Sequence, residues 1–176
     1  SNARVAIGVL SALGADPATV RNSLSNFSGV WRRFEYIGRM KTGALVYDDY
    51  AHHPTEIKAF LRGARGAFAG KKIIAIFQPH LFSRTKDFLD DFSHSFENAD
   101  EVIILPIYKA REIDNGEVSS GMLVDKIRNT GKHVDLMTNF TDVIEYLNSK
   151  SHENTIIATI GAGETNILAK ELVESI

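Results

Sequence analysis

An α/β fold, with a mostly parallel sheet and helices on both of its faces, is predicted by three features of the sequence. Short apolar runs alternate with amphipathic helical stretches from Leu45 onward. Several of those runs are apolar at consecutive positions, as in Ile73-Ile74-Ala75-Ile76-Phe77, the pattern of a strand covered on both faces. Polar loops rich in His, Asp, Arg and Gly recur where the strands end. Together these imply right-handed βαβ crossovers and a Rossmann-like sheet.

The elements follow in order. From Arg4 to Leu13, the apolar Val5, Ile7, Val9, Leu10 and Leu13 suit a largely buried helix that Gly14 ends. Asp16 then caps a second helix with Pro17 at its first position, and Val20, Leu24 and Phe27 form its apolar stripe. These two helices have no strands with them, and Ser28-Gly29 marks a boundary. Trp31 to Ile37 reads as a strand, hairpin-paired with Ala44 to Tyr47 across Lys41-Thr42-Gly43. Strand Leu45 to Asp48, helix Thr55 to Phe68, strand Ile73 to Phe77, helix Thr85 to Phe96 and strand Val102 to Leu105 come next. A weaker helix from Met122 to Arg128 precedes strand Val134 to Met137, helix Thr141 to Leu147, strand Thr155 to Ile160 and helix Thr165 to Ser175.

Bulk properties narrow the function. Across 176 residues the formal net charge is −2 and hydrophobic residues make up 44%, which argues against disorder and against a broad electrostatic grip on nucleic acid. No apolar run is long enough to span a bilayer, so a small-molecule partner fits better than nucleic acid or membrane. The chain has no cysteine, which excludes disulfides and thiolate metal sites. Ser1-Asn2-Ala3 reads as the remnant of a cleaved expression tag.

Chemistry should gather at the carboxyl ends of the strands, where loops and helix N-termini converge in an open parallel sheet. The run Asp48-Asp49-Tyr50-Ala51-His52-His53-Pro54-Thr55-Glu56 lies there, as do Gln78-Pro79-His80-Leu81-Phe82-Ser83-Arg84-Thr85, Pro106 to Glu112, and Gly161-Ala162-Gly163-Glu164. Adjacent Asp48 and Asp49 point in opposite directions if their strand continues, so one of them faces the pocket. His52, His53 and His80 with an aspartate are a candidate metal set for a hydrolase, although the helical i, i+4 zinc pair is absent and packing or hydrogen bonding is the rival reading. Arg84 has a possible helical partner in Asp87, yet a cation in the first turn opposes the helix dipole, and an anionic ligand explains it better. Gly161-Ala162-Gly163 either approaches a phosphate or turns tightly; Asn166 stands where a dinucleotide fingerprint needs glycine. No G-x-x-x-x-G-K-[ST] phosphate loop occurs.

Taken together, these motifs resemble the C-terminal domain of the Mur ligase family. Arg32-Arg33-Phe34-Glu35 resembles the segment that enters that domain, Asp48 to Glu56 its D-D-Y-[GA]-H-H-P-T-E block, and Gln78-Pro79-His80 with Ser83-Arg84-Thr85 its Q-P-H-x-[YF]-[ST]-R-T block. A tripeptide-recycling branch of the family usually carries an E-P-R-type sequence at Gln78-Pro79-His80, so the resemblance is closer to the branch that adds alanine. On this resemblance residues 4–29 are the last helices of a central ATPase domain and residues 30–176 the C-terminal Rossmann-like domain.

The resemblance implies a cytoplasmic ligase that uses ATP and Mg2+ to join L-alanine to UDP-N-acetylmuramate through an acyl phosphate, in peptidoglycan precursor synthesis. Mg2+ and most ATP contacts would belong to a central domain outside this chain, as would the grip on the UDP-sugar. It assigns Arg33 and Asp49 to the nucleotide, Tyr50, His52, His80 and Arg84 to L-alanine, and no catalytic residue or metal ligand within the chain. Alone, the chain is expected to be inactive. Leu81 stands where many relatives carry arginine, which predicts recognition of the amino acid by a single arginine; Glu164 stands where aspartate is common. A metal-dependent hydrolase and a noncatalytic nucleotide- or peptide-binding module remain the competing readings.

Overall fold

In a computed structural model, which describes residues 2–27 and 29–174, the chain divides into two compact units, one ending at Val30 and one starting at Trp31. Ser1 of the expected tag remnant, the punctuating Ser28 and the expected helix end at Ser175 lie outside the described residues.

The first unit is two helices, α1 (Asn2–Ala12) and α2 (Pro17–Ser25). Gly14, at φ 76°, ends α1 in the left-handed conformation, and Ala15 N–H and Gly14 N–H reach back to the carbonyls of Leu10 (2.9 Å) and Ser11 (3.1 Å). Asp16 caps α2 by accepting from the backbone N–H and hydroxyl of Thr19, both at 2.8 Å, with Pro17 at the first position. The burial expected of α1 is not found: Val5, Ile7, Val9, Leu10 and Leu13 are exposed, as is Phe27 of the α2 stripe, while Val20 is buried. Two short helices share one seam, and a helix that is apolar around much of its circumference cannot be hidden by a single neighbour.

The second unit holds a six-stranded sheet: β1 (Glu35–Arg39), β2 (Leu45–Asp49), β3 (Lys72–Phe77), β4 (Glu101–Ile104), β5 (Val134–Leu136) and β6 (Thr155–Ile160). Their order is β1-β2-β6-β3-β4-β5; β1 pairs antiparallel with β2, and every other pair is parallel. Around the sheet lie α3 (Pro54–Ala67), α4 (Phe82–Asp87), α5 (Leu89–Ser93), α6 (Ser120–Asn129), α7 (Phe140–Lys150) and α8 (Thr165–Glu174). Alternation along the central strands sends their side chains into two cores. Ile73, Ala75 and Phe77 join Ile57 and Leu61 of α3 and Leu123 of α6, whereas Ile74 and Ile76 join Val143 and Leu147 of α7 and Leu168 and Leu172 of α8. This double coverage explains the consecutive apolar positions.

Two expected elements differ. The first strand begins at Glu35 rather than Trp31, because Arg32 (φ 54°) and Phe34 (φ 51°) adopt left-handed backbone that no strand accommodates. The single helix expected from Thr85 to Phe96 is two short ones that start at Phe82 and break at Phe88, whose ring lies edge-on to His53 at 4.7 Å and edge-on to Phe92 at 6.5 Å. The hairpin is as expected, with Met40 N–H donating to Ala44 O and Gly43 N–H to Met40 O, both at 2.9 Å.

Phe77 is fully buried between Phe92 (5.4 Å) and Phe96 (5.6 Å). Phe77→Ala should cost about 3–5 kcal/mol through lost transfer energy and the cavity left behind; urea titration of the sheet unit measures this, and a loss under about 1 kcal/mol would show that the core collapses around the gap.

Candidate functional site

The carboxyl ends of β2, β6, β3 and β4 are tied into one edge by backbone hydrogen bonds. Gly161 N–H donates to Asp49 O (3.1 Å), Gln78 N–H to Ile160 O (3.0 Å) and Leu105 N–H to Phe77 O (2.9 Å). The β3 and β4 loops then pair through a parallel bridge between His80 and Tyr108. All four loops expected to converge therefore meet on one side of the sheet.

Behind this edge lies a buried arginine. Arg32 is 3% exposed and its Nε donates to the fully buried Asp48 at 2.7 Å. Its Nη2 donates to Gly161 O (2.6 Å) and Thr165 Oγ1 (2.9 Å), and its Nη1 to Gly163 O (3.3 Å). Asp48 also accepts from Thr159 Oγ1 at 2.7 Å, so both charges are paired and hydrogen-bonded. The guanidinium carbon lies 5.0 Å from the Tyr50 ring centre, and Arg32 O accepts from Tyr50 N–H at 2.8 Å. One side chain thus joins the ends of β2 and β6 to the start of α8.

The glycine loop turns tightly against Gln78. A Cβ on Gly161 (φ 146°) would lie 2.8 Å from Gln78 O, and one on Gly163 would lie 2.2 Å from Gln78 Oε1. Gln78 fills that space, accepting from Glu164 N–H at 2.7 Å. Glu164 itself is exposed.

Asp48 and Asp49 do point to opposite sides. Asp49 is 6% exposed and accepts from Phe34 N–H and Ala51 N–H, both at 2.8 Å. Burial pushes its carboxyl above the usual range, against the pull of these two N–H groups and of Arg33. Arg33 approaches Asp49 at 3.8 Å but is half exposed, so its guanidinium remains open to solvent on the edge.

The remaining candidates form a row: Tyr50 lies edge-on to His52 (5.4 Å), and His52 lies 6.2 Å from His80. Arg84 Nη1 donates to His80 Nδ1 at 3.3 Å, and His80 stacks on Tyr108 at 5.6 Å and 24°. The Arg84–Asp87 pair offered by helical spacing is not formed; the cation's neighbour is an imidazole. Burial, then the charges of Arg84 and His52, pull His80 below the ordinary imidazole value, with Glu112 opposing them. His52 Nδ1 donates to Tyr50 O at 3.0 Å, which fixes its tautomer. Glu56 accepts from the N–H groups of His52 (3.0 Å) and His53 (3.3 Å); burial pushes its carboxyl up, but these bonds and nearby positive charges outweigh it and hold the group low.

His53 does not join the row. Its Nδ1 accepts from Thr55 N–H at 3.3 Å and caps α3, in a capping box completed by Glu56. The candidate metal set therefore does not assemble, and no group of three His, Asp or Glu side chains placed to hold a metal occurs among the described residues. Arg32, Gln78 and Tyr108 carry structural weight that the motifs do not announce. Arg32 is hidden by position, since nothing local in Trp31-Arg32-Arg33 tells the buried arginine from the exposed one.

The family model described as Mur ligase, glutamate ligase domain, matches residues 32–163. UDP-N-acetylmuramate--L-alanine ligase of Caldanaerobacter subterraneus subsp. tengcongensis is 44% identical over 173 residues, which is 98% of this chain and 37% of that protein. The protein of the same name from Clostridium novyi is 43% identical over 157 residues, 89% of this chain and 34% of that protein. The solved structure of UDP-N-acetylmuramate-alanine ligase MurC from Thermotoga maritima superposes with a TM-score of 0.82 at 30% identity, over 99% of this chain and 36% of that one. The chain thus spans little more than a third of the length of these relatives.

Arg32→Met should destabilise the sheet unit by about 3–5 kcal/mol, because it strands the Asp48 carboxylate in the interior; a change below about 1 kcal/mol in denaturant titration would mean that water reaches the site. His80 should titrate below about 6.5, the ordinary imidazole value, and Arg84→Gln should raise its midpoint. Because the folded state binds this proton less readily than the unfolded state, His80's contribution to stability falls as pH drops from the ordinary imidazole value towards the folded midpoint. NMR of the ring carbons reads both, and a normal, Arg84-independent midpoint would contradict the geometry.

Proposed function

Because the chain belongs to the Mur ligase family, we propose that it is the amino-acid-receiving, C-terminal part of an ATP-dependent ligase that joins L-alanine to UDP-N-acetylmuramate. The observation that carries this reading is Arg84. It is a part-buried cation in the first turn of α4, paired with an imidazole rather than a carboxylate, and it closes the row Tyr50, His52, His80. Such a guanidinium suits the α-carboxylate of an amino acid through a charge-assisted hydrogen bond. Similarity at 44% and 43% identity to alanine ligases favours alanine as the amino acid and argues against the tripeptide-recycling branch.

In this reading the lactyl carboxylate of the sugar is first phosphorylated by ATP. The amine of alanine then attacks the acyl carbon with its lone pair, the carbon–oxygen bond to phosphate breaks, and the amine gives up a proton. The chain's contribution is positioning. Arg84 holds the carboxylate, His80 in its neutral form offers a hydrogen bond beside it, and Tyr50 and His52 close the wall around the methyl group. Arg33, exposed on the same edge, meets the phosphates of the nucleotide, and Asp49 accepts from its ribose. Mg2+ would be held by the central domain that the family resemblance places outside this chain, where it would stabilise charge on the phosphoryl group being transferred. In this reading the enzyme works in the cytoplasm.

Ligation assays test the reading. The complete protein should form the amide from ATP, UDP-N-acetylmuramate and L-alanine, and this chain alone should give background only. In the complete protein Arg84→Ala should raise KM for L-alanine roughly 10- to 150-fold, the loss of a hydrogen bond to a charged group worth about 1.5–3 kcal/mol, with KM for ATP unchanged. An unchanged alanine KM, or robust turnover by this chain alone, would overturn it.

A further inference from the structure

The segment that bears His80 and Arg84 is held from outside itself. Leu81 stands at the N-cap of α4 with φ 73° and offers no side-chain cap to the first N–H groups of the helix. Residues from the β4–α6 connection take over that duty. Tyr108 N–H donates to Pro79 O (2.8 Å), and Leu81 N–H donates back to Tyr108 O (2.9 Å). Glu112 then accepts from Ser83 N–H at 3.0 Å and from the Ser83 hydroxyl. Further along, Glu117 pairs with Lys86 at 2.9 Å and is itself held by Asn115 Nδ2 at 2.9 Å. The connection runs beside residues 79–86 as a strap, and Arg84 is the next residue after the one Glu112 grips.

We propose that Glu112 is a positioning residue for the amino-acid site: by capping α4 from a separate loop through Ser83, it fixes the angle at which Arg84 meets His80 and the incoming carboxylate. The proposal deepens the ligase reading and rests on it. Two features give Glu112 this role over its neighbours. It is less exposed than Lys109, Arg111, Ile113 and Asp114 beside it. Its carboxylate is also held below the usual range by the Ser83 hydroxyl and then the Ser83 N–H, so it meets those two donors as a charged acceptor. The left-handed Leu81 is what makes an external cap necessary, since no Ser, Thr, Asp or Asn occupies the N-cap.

In the complete ligase, Glu112→Ala should raise KM for L-alanine about tenfold while KM for ATP and for UDP-N-acetylmuramate stays within twofold, and Glu112→Gln, which keeps an acceptor of the same reach, should recover most of the loss. In parallel, hydrogen exchange at the Ser83 and Thr85 amides of this chain should quicken in Glu112→Ala and return towards wild type in Glu112→Gln. Unchanged exchange, or quickened exchange with an unchanged alanine KM, overturns the positioning role. A wild-type enzyme that does not ligate alanine overturns the ligase reading instead, and the exchange measurement then still decides whether Glu112 holds α4.

Discussion

The site depends on the ion pair between Arg32 and Asp48. Parallel strands end in loops that have no backbone partners of their own, and here the ends of β2 and β6 and the start of α8 are joined by a guanidinium that spends its donors on Asp48, Gly161 O, Gly163 O and Thr165 Oγ1. Because both charges are out of water, the pair is stable only while its geometry and its extra hydrogen bonds persist. That requirement propagates outward. It fixes Arg32 in left-handed backbone, which delays the first strand to Glu35, and it fixes the carbonyls that Gly161 and Gly163 present.

A division of labour between buried and exposed charge follows. Arg32 and Asp48 are consumed by structure; Arg33, one residue on, is half exposed on the open edge, while Asp49 is also buried but turned to the other side, accepting from Phe34 and Ala51 N–H. A similar split separates His53, which caps α3, from His52, which faces His80. Pairs that look redundant in the sequence thus split by role, Asp48 and Asp49 through the two-residue period of β2 and the arginines and histidines through the loop backbone that carries them.

Much of the sheet is legible in the sequence because double coverage leaves long apolar strands flanked by polar loops, and the positions of β2, β3, β4, β5 and β6 follow from that contrast. The row Tyr50, His52, His80, Arg84 is legible as a set of unusual residues at strand ends. What is not legible is set by long-range packing. The break at Phe88, whose ring packs against His53 from a different loop, has no signal in its own helical spacing. The identity of Arg32 as the buried member of its pair depends on carbonyls about 130 residues away in the chain. Exposure of Val5, Val9 and Leu13 is likewise a property of what packs on α1, not of its own pattern.

In the proposed ligase reading the amino acid's carboxylate meets Arg84. A crystal structure of the complete protein with a non-hydrolysable ATP analogue, UDP-N-acetylmuramate and L-alanine tests this most directly. The alanine carboxylate should lie within hydrogen-bond distance of the Arg84 guanidinium, with His80 beside it and Tyr50 and His52 around the methyl group. Alanine bound instead in the hollow lined by Gln78, Tyr108, Lys109, Phe140 and Glu164, with Arg84 still donating to His80, would contradict it.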